Sequence, residues 1–110
     1  MSRTIRVELL TVPDCPGKVP TEQLLHELAR ELQIELQLQH TVITDRQQAD
    51  QVRFPGSPTV RIDGTDPVDS AAPASLACRL YRTHAGLRPY PDRVTLHAAL
   101  QTATTPGGGS

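Results

Sequence analysis

Phe54-Pro55-Gly56-Ser57-Pro58-Thr59-Val60-Arg61-Ile62-Asp63-Gly64 is the stretch on which the fold of this chain turns. Two prolines and a glycine at its start bar helix and regular strand. Residues 59–63 then read as a short strand, and Asp63-Gly64 is a strong turn signal. The strand is therefore entered through a proline, which dictates the local backbone. An X-Pro bond is also the one common site of a cis peptide. The reading is of Ser57-Pro58 as a rigid platform next to Cys15, where a cis bond is plausible, with Gly56 supplying a tight or positive-φ position.

Upstream, residues 5–12 alternate at first, with Ile5, Val7 and Leu9 on one face; Leu10 and Val12 make the other face apolar too. That is the pattern of a strand covered on both sides. Pro13-Asp14-Cys15-Pro16-Gly17-Lys18-Val19-Pro20 interrupts it. Thr21 is the expected N-cap of a helix over 21–33, with Leu24, Leu25, Leu28 and Leu32 at helical spacing. Residues 34–42 alternate cleanly as a strand whose polar face suits a sheet edge. Asp45 and Gln48 form a capping-box pattern before a short helix over 46–53, with Ala49 and Val52 turned inward.

Downstream, 65–77 reads as a long loop with a helical turn near 73–76, and Cys78–Thr83 as a strand. Asp92 caps a helix over 93–103, with Val94, Leu96, His97 and Leu100 as candidate contacts. The order is β-α-β-α-β-β-α. It predicts an α/β/α three-layer fold with a four-stranded mixed sheet in order 2-1-3-4. Both helical crossovers are read as joining parallel strands, and strand 4 as antiparallel to strand 3. One domain over 1–103 and a flexible C-terminal tail over 104–110 are expected.

Composition narrows the function. Net charge is -1 with both signs interspersed, and the aromatics are only Phe54, Tyr81 and Tyr90. Neither a basic face nor a base-stacking surface is announced, so no nucleic-acid partner is expected. No apolar run spans a bilayer and no leader pattern opens the chain, so no membrane partner and cytoplasmic residence are expected. In a reducing compartment the two cysteines, Cys15 and Cys78, are expected to be free thiols.

A cysteine just past strand 1 and a proline just before strand 3 resemble the thioredoxin-like superfamily, over roughly residues 5–103. The runs 54–59, 62–67 and 78–81 are similar to small bacterial thioredoxin-like proteins, some labelled alkylmercury-lyase-like. The resemblance implies that Cys15 is the nucleophile, Pro58 the cis-proline beside it and Ser57 its neighbour at the substrate site. It further implies thiol–disulfide oxidoreductase activity on a thiol or disulfide substrate, glutathione or a partner protein, with no cofactor. The chain departs from the redox pattern at Cys15-Pro16-Gly17-Lys18, where lysine replaces the second cysteine of Cys-x-x-Cys. A vicinal dithiol cycle is thereby removed. Nor are the residues of the mercury-cleaving site matched.

Within that frame, Cys15 reacts as its thiolate, which Lys18 favours if the side chains meet. Pro16 lies between them. The alternative is an inert loop cysteine on a binding module, using the Cys15–Pro58 surface or an exposed sheet edge. Cys78 reads either as a core residue sharing a face with Leu80, the slightly favoured reading, or as a resolving thiol. A soft metal bridging both thiolates is a third, minority reading. His26, His40, His84 and His97 show no metal-ligand spacing, and Asp63, Asp66 and Asp69 read as turn carboxylates.

Overall fold

The computed structural model describes residues 3–68 and 73–104. The elements are β1 (Thr4–Thr11), α1 (Lys18–Leu32), β2 (Glu35–Val42), α2 (Arg46–Val52), β3 (Thr59–Ile62), β4 (Tyr81–Thr83), β5 (Gly86–Arg88) and α3 (Arg93–Thr104). The tail expected to be flexible lies, beyond Thr104, outside the described residues, as does Asp69.

β1 is the central strand because both its faces are apolar. Ile5, Val7 and Leu9 pack with Leu25 and Leu28 of α1, Leu96 and Leu100 of α3, and Val60 and Ile62 of β3. Leu10, on the other face, packs with Ile43, Ala49 of α2 and Phe54. Helices thus cover both sides of the sheet, as expected. Phe54 is fully buried and anchors this second cluster. Burying each such side chain stabilises the fold by roughly 1.5–3 kcal/mol before entropy is counted.

The sheet itself differs from the expected four strands. It has three, in order β2-β1-β3, and β4 and β5 form a separate hairpin. β1 and β2 are parallel through α1, as predicted, with Val7 opposite Leu38. β3, read as parallel, instead runs antiparallel to β1, with Leu9 opposite Val60. The length of α2 explains this. Its seven residues rise about 10 Å, whereas the eight residues of β2 cover about 26 Å. The chain therefore stays at the end of the sheet where β2 finished, and β3 starts from there.

The fourth strand does not join β3, whose last residue is met instead by the chain's own continuation. The Asp63-Gly64 turn folds back so that Ile62 N donates to Thr65 O (2.8 Å) and Thr65 N to Ile62 O (3.1 Å). The Cys78 segment instead meets the chain before β3, in a single parallel bridge between Ser57 and Cys78.

Smaller corrections follow the same logic. α1 begins at Lys18 rather than Thr21, with Gly17 as N-cap. Pro20 is tolerated because first-turn N–H groups have no intrahelical partner to lose. Thr21 lies inside the helix, buried, its hydroxyl without a hydrogen-bond partner. Asp45 does cap α2, accepting from Gln48 N at 2.8 Å. Gln48 reaches back to Thr44 N rather than to Asp45 N. Val52 and Val94, expected inward, are exposed.

Candidate functional site

The site begins in the sharp connection from β1 to α1. Asp14 takes a left-handed backbone, φ 57°. Cys15 follows, half-buried, and its carbonyl accepts from Lys18 N at 3.2 Å, closing the turn. Pro16 at its crest is exposed. Gly17 is required by close approach: a Cβ there would lie 1.8 Å from Pro89 O and 2.9 Å from Pro58 Cδ. The cysteine turn is thus pressed directly onto Pro58.

The Ser57-Pro58 bond is cis, as expected, and Gly56 has φ 138°. Ser57 is fully buried and every polar group it owns is used within the chain. Its Oγ accepts from Val12 N at 3.0 Å, tying it to the end of β1. Its N–H donates to Ala77 O (3.0 Å) and its carbonyl accepts from Arg79 N (2.7 Å). These two backbone bonds bring Cys78 alongside Ser57. Cys78 is exposed and Leu80 is 60% exposed, so the core reading of Cys78 is overturned. Its segment crosses over the Gly56–Ser57 entrance instead of entering the sheet. Both cysteines are free.

Lys18 opens α1, where its Nζ pairs with Glu22 Oε1 at 2.9 Å. Among the other candidates, His40 is partnered by Thr11 Oγ1 at 2.8 Å, and His97 lies 3.7 Å from Glu31. His84 Nδ1 is 3.1 Å from Asp92 Oδ1, joining the β4–β5 turn to the start of α3. Burial acts to raise the Asp92 pKa. The hydrogen bonds from the His84 ring and N–H, the His84 charge and the Val94 N–H outweigh it, and the carboxyl is held below its usual range.

The residues that sequence reasoning missed lie just past Cys78. Arg79, with a side chain only 9% exposed, donates to Asp66 Oδ2 (2.7 Å). It also reaches Val68 O (2.6 Å) and Thr59 Oγ1 (3.3 Å). Its guanidinium lies 4.6 Å from the centre of the Tyr81 ring, in cation–π geometry. Tyr81, buried, donates its hydroxyl to Pro58 O at 2.5 Å. Burial pushes the Tyr81 phenol up; Arg79 pulls it down, and the charges of Asp66 and Cys15 add to the rise. Asp66 is therefore engaged by an arginine rather than serving only its turn. The one available signal was the Arg-x-Tyr alternation after Cys78, which places a cation next to an aromatic.

Among the described residues no three of His, Cys, Asp and Glu gather as a metal-holding group. No helix among them is long and apolar enough to cross a membrane. A groove lined by Ile62, Thr65, Pro67, Val94, Ala98 and Thr102 includes none of Cys15, Pro58 and Cys78. No family model, curated protein or solved structure matches the chain.

Proposed function

We infer that this is a thioredoxin-like thiol–disulfide oxidoreductase working with single cysteines rather than a Cys-x-x-Cys pair. The observation that carries the reading is the convergence of both thiol segments on one dipeptide. The Cys15 turn packs on Pro58 through Gly17, and Cys78 pairs with Ser57. Cys15 thiolate attacks a substrate disulfide, forming a mixed disulfide and expelling one substrate thiolate. Cys78, or an external thiol such as glutathione, then attacks Cys15 Sγ and releases the second. The substrate disulfide gains two electrons, and two thiols are oxidised to one disulfide. Pro16 and Lys18 flank the approach, while Ser57 and Pro58, both buried, act from beneath by fixing the backbone against which the cysteine turn packs.

A binding module is the second reading, favoured by the pairing of Lys18 with Glu22, which draws that cation toward another anion. Alkylation of Cys15 across pH, together with mild oxidation, separates them. The redox reading expects Cys15 to alkylate faster than free cysteine at neutral pH and to give a disulfide trapped by mass spectrometry. Alkylation no faster than that of free cysteine, with no disulfide under oxidation, defeats it.

A further inference from the structure

We propose that Arg79 is the positioning residue of this site, its clamped guanidinium fixing Cys78 against Ser57 and Tyr81 against Pro58. The proposal rests on the redox reading of Cys15 and Cys78. The Cys78 segment has two backbone hydrogen bonds to Ser57, one of them from the N–H of Arg79 itself, and a further one upstream, from Ser75 N to Phe54 O (2.8 Å). A two-bond bridge outside any ladder has little of a sheet's cooperative support. The side chain of the next residue adds the anchor nearest to Cys78. The guanidinium is anchored at Asp66 and at Val68 O in the loop after β3, and at Thr59 inside β3. Three donors fixed at three points leave a planar fork little freedom. Its stem then sets where Cys78 stands.

The same group orders the other side of the dipeptide. The Tyr81 ring lies under the guanidinium and its hydroxyl meets Pro58 O. Gly56 fits the arrangement: a Cβ there would stand 3.1 Å from Arg79 Cβ and 3.2 Å from Ala77 O. The strand entrance and the Arg79 stem are thus packed in contact. Arg79 takes no part in the bond changes. It acts by holding the second thiol beside Ser57, next to the Pro58 on which the Cys15 turn packs.

The test compares wild type with Arg79→Met, Arg79→Lys and Asp66→Asn, each confirmed folded by circular dichroism. The readout is the equilibrium of the Cys15–Cys78 disulfide against glutathione buffers. A residue that only stabilises the fold would leave this equilibrium unmoved in folded protein. Arg79→Met is expected to lower the equilibrium constant about tenfold, about 30 mV toward more oxidising values. Arg79→Lys should restore part of the loss, and Asp66→Asn should shift it in the same direction by less. Should Arg79→Met fail to fold, the Lys and Asn variants carry the test. An unchanged equilibrium in the folded variants overturns the proposal.

If wild type forms no internal disulfide, Cys78 is not the resolving thiol, and Arg79 is judged separately. In a Cys15→Ser background, exchange of Cys78 with a neutral aromatic disulfide is timed. Release from Ser57 should speed exchange at least fivefold in Arg79→Met, with partial rescue by Lys; an unchanged rate overturns the positioning role.

Discussion

The three-stranded sheet and the segment from Cys78 to Asp92 are held in different ways. The sheet is an apolar assembly in which Ile5, Val7, Leu9, Leu25, Leu28, Leu96 and Leu100 are all at most 2% exposed. The 78–92 segment carries exposed Leu80 and Leu87 and a short hairpin. It is fastened by polar contacts, Arg79 to Asp66 and Tyr81 to Pro58, and braced within itself by His84 to Asp92. Apolar burial is non-directional and forgives small shifts. Polar fastening is directional and fails at single points. Both candidate thiols stand where the two regimes meet, Cys15 on the sheet side and Cys78 on the fastened side.

The contrast can be broken at its ends. Leu28→Ala empties a fully buried position in α1 and should cost about 2–5 kcal/mol in urea unfolding. An effect below that range would mean the apolar layer is looser than its burial implies. At the junction, Gly17→Ala needs no unusual backbone, since an alanine accepts φ -88°. Its Cβ must nonetheless displace the Pro89 carbonyl or Pro58. About 1–3 kcal/mol of overpacking is expected, together with a changed Cys15 alkylation rate.

On the fastened side the effects are smaller. Tyr81→Phe removes only the hydroxyl that meets Pro58 O and should cost about 1 kcal/mol by the same measurement. The smallest effect belongs to Asp92, which starts α3 and holds the β4–β5 turn. Because its folded pKa is depressed, its stabilisation is present above the unfolded carboxyl pKa of about 3.9. It is lost as pH falls through the lower folded value. Asp92→Asn should therefore be less stable than wild type at pH 6, by under about 1 kcal/mol. The two unfolding curves should converge in the acid range; a gap that persists there assigns the effect to something other than ionisation.

The difference between the regions also explains what could be read in advance. The faces of β1, the strand 35–42, the inward side of α1 and the Asp45 cap follow from periodicity and capping, which are local. The Ser57-Pro58 and Asp63-Gly64 signals were legible for the same reason. The expected strand fails at Cys78–Leu80 because an alternating run in sequence does not say whether an edge is free to receive it. The Ile62–Thr65 pair occupies the end of that edge, and Cys78 pairs with Ser57 instead. Lys18 stands three residues from the thiol in sequence, but an acid one helical turn on, Glu22, lies within reach of it.

The chain's own sequence, then, determined three helices, the central strand, the proline entrance to β3 and the loop that carries Cys15. Each depends on neighbours within a few residues. Only the tertiary structure decided the direction of β3, the separation of the β4–β5 hairpin, the exposure of Cys78 and the Arg79 clamp. Those depend on which backbone edges were already paired and which buried charge found a carboxylate. They are long-range competitions that no local pattern records.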